Sequence, residues 1–327
     1  MAMTLDGSNG VTFNDSSLQG AAASPYVLKN RIINGAMVVD QRNAGASTTA
    51  TSGSVTYITD RWAVYSVGSN VTCQQVAGPN TYDKAEQLLP LTGNTAVVFL
   101  QRIESKNCLD LINKTVTVSG QIYIDSISGV SCSVSGFAAT STDSNYATAI
   151  SGFSVSLTAG SYVSFSGQLS LPSTAYNGIE IDIVFNGVAG RTIKVTNVQL
   201  EIGTSATPFE RRLYNQELAN CQRYFAKTFP QSVAVGQNSG DFNSLYNIAQ
   251  VNNLSFASVW KLPVTMRANP TITTFSPNAA NANWSPNATT PTAVVATASQ
   301  ELAVINGTTS TTAGNGYYIH ASASIEL

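Results

Sequence analysis

Few side chains in this sequence are equipped for chemistry, and their spacing limits what they could do. Glu180 and Asp182 stand at i and i+2, so on a strand they share one face. Two carboxylates placed this way could act as a glycosidase pair or hold a cation. The alternation around them favours a solvated strand face instead. His320 is the one histidine, and it sits in an alternating segment. It is expected to be structural, and no Ser-His-Asp relay can be built. No G-x-S-x-G and no phosphate-binding loop occurs. Cys73, Cys108, Cys132 and Cys221 have no C-x-x-C spacing, so free buried thiols are expected rather than zinc ligands. These residues give no catalytic set and imply no cofactor. Sugar recognition needs aromatic faces flanked by amides and hydroxyls. Trp284, in the polar stretch Asn278 to Pro291, is the leading candidate. Tyr317 and Tyr318 follow, although neighbours on a strand cannot face the same side. Trp62 and Trp260 are expected in cores.

The segments that must position these residues read as β-structure. Lys114 to Asp125 puts Val116, Val118, Ile122 and Ile124 on one face, and Val163 to Leu171 and Ile179 to Phe185 alternate similarly. Period two with one apolar face marks half-buried antiparallel strands. Turn clusters such as Ser126 to Gly129 and Asn186-Gly187 separate them, as in a sandwich or jelly roll. No repeat of fixed length points to a β-helix. At Pro208 the period changes. Asn215 is placed to cap a helix over Gln216 to Phe225, with Leu218, Cys221, Tyr224 and Phe225 forming an apolar stripe. That stripe could close the chain's own sandwich or pack on other copies. The chain is expected to be all-β, with an extended arm at 1–29 and a jelly-roll β-sandwich at 30–205. A connector with a short helix follows at 206–227, then a smaller C-terminal β-sandwich at 228–327.

Charged residues make up 10% of the 327 residues and the formal net charge is −2, far below the roughly 25% charged of an average soluble domain. Ser, Thr, Asn and Gly supply the polarity, which suits an assembled structural protein. Basic residues are scattered, so no nucleic-acid footprint is expected. No apolar run is long enough to span a bilayer, and Met1 to Gly7 lacks the features of a signal peptide.

Two motifs carry a resemblance. Asn30 to Gly35, Asp40-Gln41-Arg42 and Thr59 to Trp62 read N-x-I-x-N-G, then D-Q-R, then D-R-W. Gln199 to Phe225 includes T-P-F-E-R-R-L-Y-N-Q-E-L. Together they resemble the opening and closing edges of a jelly-roll domain in tailed-phage tail fibres and related virion proteins. Asp6 to Phe13, D-G-S-N-G-V-T-F, resembles the particle-attachment ends of such fibres. The resemblance implies a non-enzymatic virion protein and a homotrimer. Its arm would attach through Leu5, Val11, Phe13 and Leu18 to other virion proteins, while distal loops contact host surface polysaccharide. In related carbohydrate-module jelly rolls a structural calcium is held by acidic side chains, for which Asp40 and Asp60 are weak candidates. An Asp60–Arg61 ion pair at a strand end is the stronger expectation. A capsid decoration or baseplate role remains open beside the tail fibre, and a polysaccharide depolymerase beyond these.

Overall fold

The structure is a computed structural model. It describes residues 29–80, 83–285, 291–308 and 311–327, together with the backbone of 4–6, 10–12 and 18–19. It is almost entirely β, as the alternation implied. Near the N-terminus, β1 (Thr4–Asp6), β2 (Gly10–Thr12) and β3 (Leu18–Gln19) form a small antiparallel sheet. Leu5, Val11 and Leu18 fall on these strands, and Phe13 lies outside the described residues.

The main body is a jelly-roll-like sandwich. Its strands are β4 (Thr48–Ala50), β5 (Thr56–Tyr57), β6 (Ala63–Val67), β7 (Val71–Ala77), β8 (Lys84–Pro90), β9 (Ala96–Glu104), β10 (Thr115–Ile124), β11 (Ser131–Ser141), β12 (Ser144–Val155), β13 (Tyr162–Ser170), β14 (Gly178–Asn186) and β15 (Ile193–Ile202). One six-stranded sheet runs β13-β10-β15-β8-β7-β4, and the other β12-β11-β14-β9-β6-β5. Their apolar faces share one core that includes Val116, Val118, Ile179, Ile181, Ile183 and Leu200. Trp62 stacks on Phe99 at 4.4 Å and 7° in that core, and its indole N–H donates to the Asn34 carbonyl at 3.0 Å. The four cysteines are buried free thiols.

A smaller two-sheet unit follows, built from β16 (Phe225–Lys227), β17 (Leu245–Ile248), β18 (Phe256–Lys261), β19 (Thr271–Phe275), β20 (Thr292–Ala298), β21 (Leu302–Thr308) and β22 (Gly316–Ser324). Strand β22 is the hub of one sheet, pairing with β16, β17 and β19. The other sheet runs β18-β21-β20. Trp260, Trp284, Ile305, Tyr317 and Ile319 belong to the core between them.

Between the two bodies lies α1 (Tyr214–Gln222). It begins earlier than expected. Leu213 occupies the cap position with no side-chain hydrogen bond, Asn215 is inside the helix, and Phe225 has already joined β16. The stripe packs on its own chain: Cys221, Tyr224 and Phe225 are buried and Leu218 is half-buried. The most buried contact of the first turns is polar. Glu217 Oε1 accepts from the Asn34 backbone N–H, and Arg212 donates to the Ile32 carbonyl at 2.9 Å and to the Asn30 carbonyl. The two motifs that carried the resemblance therefore meet in one joint.

The joint continues to residues 325–327. Arg61, 1% exposed, pairs with Glu326 and lies 3.6 Å from the Tyr224 ring centre. Arg42 reaches Glu326 at 2.8 Å and lies over Phe225 at 3.9 Å. Tyr57 and Arg102 both donate to the Leu327 carbonyl, at 2.6 and 2.7 Å. The expected Asp60–Arg61 pair does not form, because Asp60 instead accepts from the Gln41 backbone and side chain at 2.5 and 2.7 Å. The solvated face expected for Glu180 and Asp182 is also overturned, since they are 7% and 4% exposed. Strand β14 is interior to its sheet, and Arg102 of the next strand donates to Glu180 at 2.5 Å while holding Leu327.

Candidate functional site

A groove of about 480 Å³ lies on the outer face of the sheet that contains β10 and β13. Its floor follows from strand alternation. With Val116, Val118 and Ile122 turned inward, Thr117, Ser119, Gln121 and Tyr123 must face out. The register sets Ser119 opposite Ser166, Gln121 opposite Ser164 and Tyr123 opposite Tyr162. Gly120 is required here, because a Cβ at that position would meet the Phe165 ring at 2.8 Å.

On the other side of β10 the pairing with β15 shifts register between Ser119 and Gln121. Asn197 sits there with φ 52°, a left-handed conformation that asparagine tolerates better than most residues. This bulge turns its side chain over the floor, where Nδ2 donates to Gln121 Oε1 at 2.8 Å. Asn197 Oδ1 is buried without a partner. A buried amide oxygen left open costs free energy until something donates to it.

The walls come from the turn at Asn80 and Asp83 and from the segment Ala206 to Arg211. That segment is fixed across the sheet. Glu201 accepts from the Thr207 backbone and hydroxyl, both at 2.8 Å, and the Glu210 backbone donates to Gln199 at 2.8 Å. Asp83 accepts from Asn80 Nδ2 at 2.7 Å and from Arg211 at 2.6 Å. Beyond the groove the floor ends in Tyr123 and Tyr162, half-buried rings with centres 5.6 Å apart. Lys194 Nζ lies 5.1 Å from the Tyr123 ring centre. Burial pushes the Tyr162 phenol up to about 12, with Tyr123 and Asp83 adding to it, so it is a neutral hydroxyl.

Amides and hydroxyls on a concave face, with two phenol rings beyond its end, can bind a polyhydroxylated ligand. The carboxylate of the lining, Asp83, is already paired with Arg211. Among the described residues the lining therefore offers amides and hydroxyls, with its carboxylate held in an ion pair.

No protein-family model and no curated protein sequence matches the chain. Several solved structures resemble it in part. The enzymatically active domain of bacteriophage CBA120 tailspike protein 4 aligns at TM-score 0.38 and 19% identity, over 56% of this chain and 22% of that one. The CBM22-1 xylan-binding domain of Paenibacillus barcinonensis Xyn10C aligns at 0.31 and 13%, over 50% and 99%. TmCBM61, solved with β-1,4-galactotriose, aligns at 0.28 and 12%, over 54% and 100%. This chain thus matches less than a quarter of the tailspike chain. At these scores the likeness carries no functional information.

The aromatic residues singled out from sequence lie elsewhere. Trp284 is fully buried. Its indole N–H donates to the Asn306 carbonyl at 3.1 Å, and its ring meets Phe256 edge-on at 4.8 Å. Tyr317 is fully buried beside Phe256 at 5.5 Å. Neither can offer a ring face to a sugar, because residues remote in sequence cover both. Tyr318 is half-buried between Phe242, edge-on at 5.3 Å, and Tyr246, tilted at 4.8 Å. The carboxylates of the calcium candidates are engaged by neighbouring N–H groups. Asp40 is taken up by the Asn43 and Gly45 backbone N–H groups at 3.0 and 2.8 Å, and Asp60 by Gln41. Among the described residues no group of three or more His, Cys, Asp or Glu could hold a metal ion. His320 is buried, stacked on Phe229 at 3.8 Å, with Nδ1 3.0 Å from the Thr228 hydroxyl and Nε2 2.9 Å from the Asp241 carbonyl. No helix is long and apolar enough to cross a membrane among the described residues.

Proposed function

We propose that this chain is a non-enzymatic attachment protein of a virion, most simply a phage tail appendage, whose sandwich groove binds neutral surface glycan. The observation that carries the glycan reading is the groove: Ser119, Gln121, Ser164, Ser166 and Asn197 form a polar floor that leads to Tyr123 and Tyr162. Neutral sugar fits because the opposite charges at Asp83 and Arg211 satisfy each other. The virion setting is supported by the motif resemblance at 30–62 and 199–225 and by the low surface charge. In this reading the sandwich contacts the host, in place of the distal loops expected around Trp284. Host polysaccharide and neighbouring virion proteins are the partners, and several copies compensate for weak single sites.

The test is a panel of neutral and anionic oligosaccharides titrated against the full chain, with Gln121→Ala and Tyr123→Ala beside it. Loss of one stacking ring is expected to weaken the best neutral ligand about tenfold, with unfolding unchanged. Binding that both variants leave intact, or a ligand set that is wholly anionic, would remove the groove from the reading. Antibody labelling of intact particles tests the setting separately. Label at tail ends supports an appendage, and label over the head makes the chain a capsid decoration protein.

A further inference from the structure

Strand β20 reads T-A-V-V-A-T-A. Thr292, Val294, Val295, Ala296 and Thr297 are all exposed, Val294 at 44% and Val295 at 39%. Both faces of the strand are therefore open along most of its length. It lies at the rim of its sheet, and among the described residues β21 alone pairs with it as a strand. Natural edge strands are guarded by charges or proline, because their free N–H and C=O groups invite another strand. β20 has neither, and its one irregularity is a register shift against β21 between Val295 and Thr297. Across β21 the sheet is also sparsely charged. Val259, on β18, is 62% exposed, and from Phe242 to Gln300 the charged residues are Lys261 and Arg267 only.

We infer that β20 is an assembly edge whose occupant is β20 of a second copy of this chain, added antiparallel about a two-fold axis. The strand itself selects that occupant. Residues 292–297 read the same in both directions, so an antiparallel copy sets small or β-branched uncharged residues opposite one another in any register. Such cross-strand pairs attract, whereas like charges in the same positions would repel. A peptide bearing positive charge would leave it against Val294 without a partner, as no acid lies between Phe242 and Gln300. The contact is two-fold, unlike the three-fold arrangement that the family resemblance implies, and it does not depend on the groove.

Light scattering on the eluting full chain is expected to give twice the chain mass for the wild type. Val294→Lys should return it to a single chain mass, because a lysine on an edge strand blocks addition. Val67→Lys, at a 43% exposed position on the sandwich, should leave the dimer intact. Amide hydrogen exchange keeps the inference testable if Val294→Lys folds poorly. In the wild type, amides of 292–298 should gain protection between about 1 and about 100 µM, as mass action requires. A single chain mass at both concentrations overturns the inference. So does a dimer that Val294→Lys leaves whole, a mass of three chains, or exchange at β20 that ignores concentration.

Discussion

The joint between the two bodies and the outer surface of the C-terminal unit use charge in opposite ways. At the joint, Arg42, Arg61, Arg102, Arg223 and Arg267 meet Glu326, Glu180, Glu104 and Asp143 over a few side chains. Of the two charged residues between Phe242 and Gln300, Arg267 is drawn into the joint and Lys261 is left on the C-terminal surface, which yet exposes Phe242, Tyr246, Ile248, Val259 and Val294. Buried ion pairs contribute little net stability, but they penalise any geometry that separates them. An uncharged apolar surface does the reverse, tolerating many partners and favouring burial. The chain thus concentrates charge where two bodies must hold one orientation, and withholds it from the surface proposed to meet a second copy.

The sharpest way to break the comparison is to damage each region and ask whether the other responds. Trp284→Ala removes the largest fully buried side chain of the C-terminal core and should cost about 4 kcal/mol. Because that core is separate from the sandwich core, the loss should appear in calorimetry as an early transition of the C-terminal unit, with glycan binding retained. If Trp284 were a glycan platform, the same variant would lose binding without the early transition. Arg61→Met should cost about 3 kcal/mol, because Glu326 stays buried with Arg42 alone. Its signature is a loss of coupling, so that two unfolding transitions appear where the wild type shows them merged. A single transition lowered as a whole would mean that the joint is part of one core.

Strand periodicity explains how much of this was legible. Alternation in Lys114 to Asp125 and Ile179 to Phe185 identified the inward faces correctly, because one face of a sheet is always the core. The same pattern also contained the groove floor, as its polar half: Ser119, Gln121, Tyr123. It was not singled out because a one-dimensional pattern does not say which polar face becomes concave. That depends on Ala206 to Arg211 lying across the sheet, anchored through Glu201 and Gln199. Trp284 misled for the complementary reason. Its sequence neighbours are polar, but Phe256 arrives from a distant strand to cover it. Arg61 and Glu326 are farther apart still in sequence, and no local signal joins them. The motifs at 30–62 and 199–225 mark residues that meet in the joint, but nothing in them says that they touch, and nothing in them points to Glu326 or Leu327.

The smallest expected effect separates buried charge that is paired from buried charge that is not. Glu180 has Arg102, whereas Asp182, two residues on, has an Oδ1 with no partner. Burial pushes the Asp182 carboxyl up to about 8, Glu180 adds to the rise, and Arg102 opposes it. In the unfolded chain the same group titrates near 4. A folded value above the unfolded one means that the native state holds its proton while the unfolded state releases it. Stability is therefore full below about pH 4 and is lost as pH rises towards about 8. Asp182→Asn abolishes this ionisation. It should match the wild type near pH 4 and exceed it by about 1 kcal/mol or more at pH 8, a rise of a few degrees in Tm. Glu86, raised by burial to about 8, remains in the variant, so the pH slope should shrink without vanishing. A difference between variant and wild type that is constant from pH 4 to 9 would show that Asp182 is paired after all, and that the outer face of β14 belongs wholly to the joint.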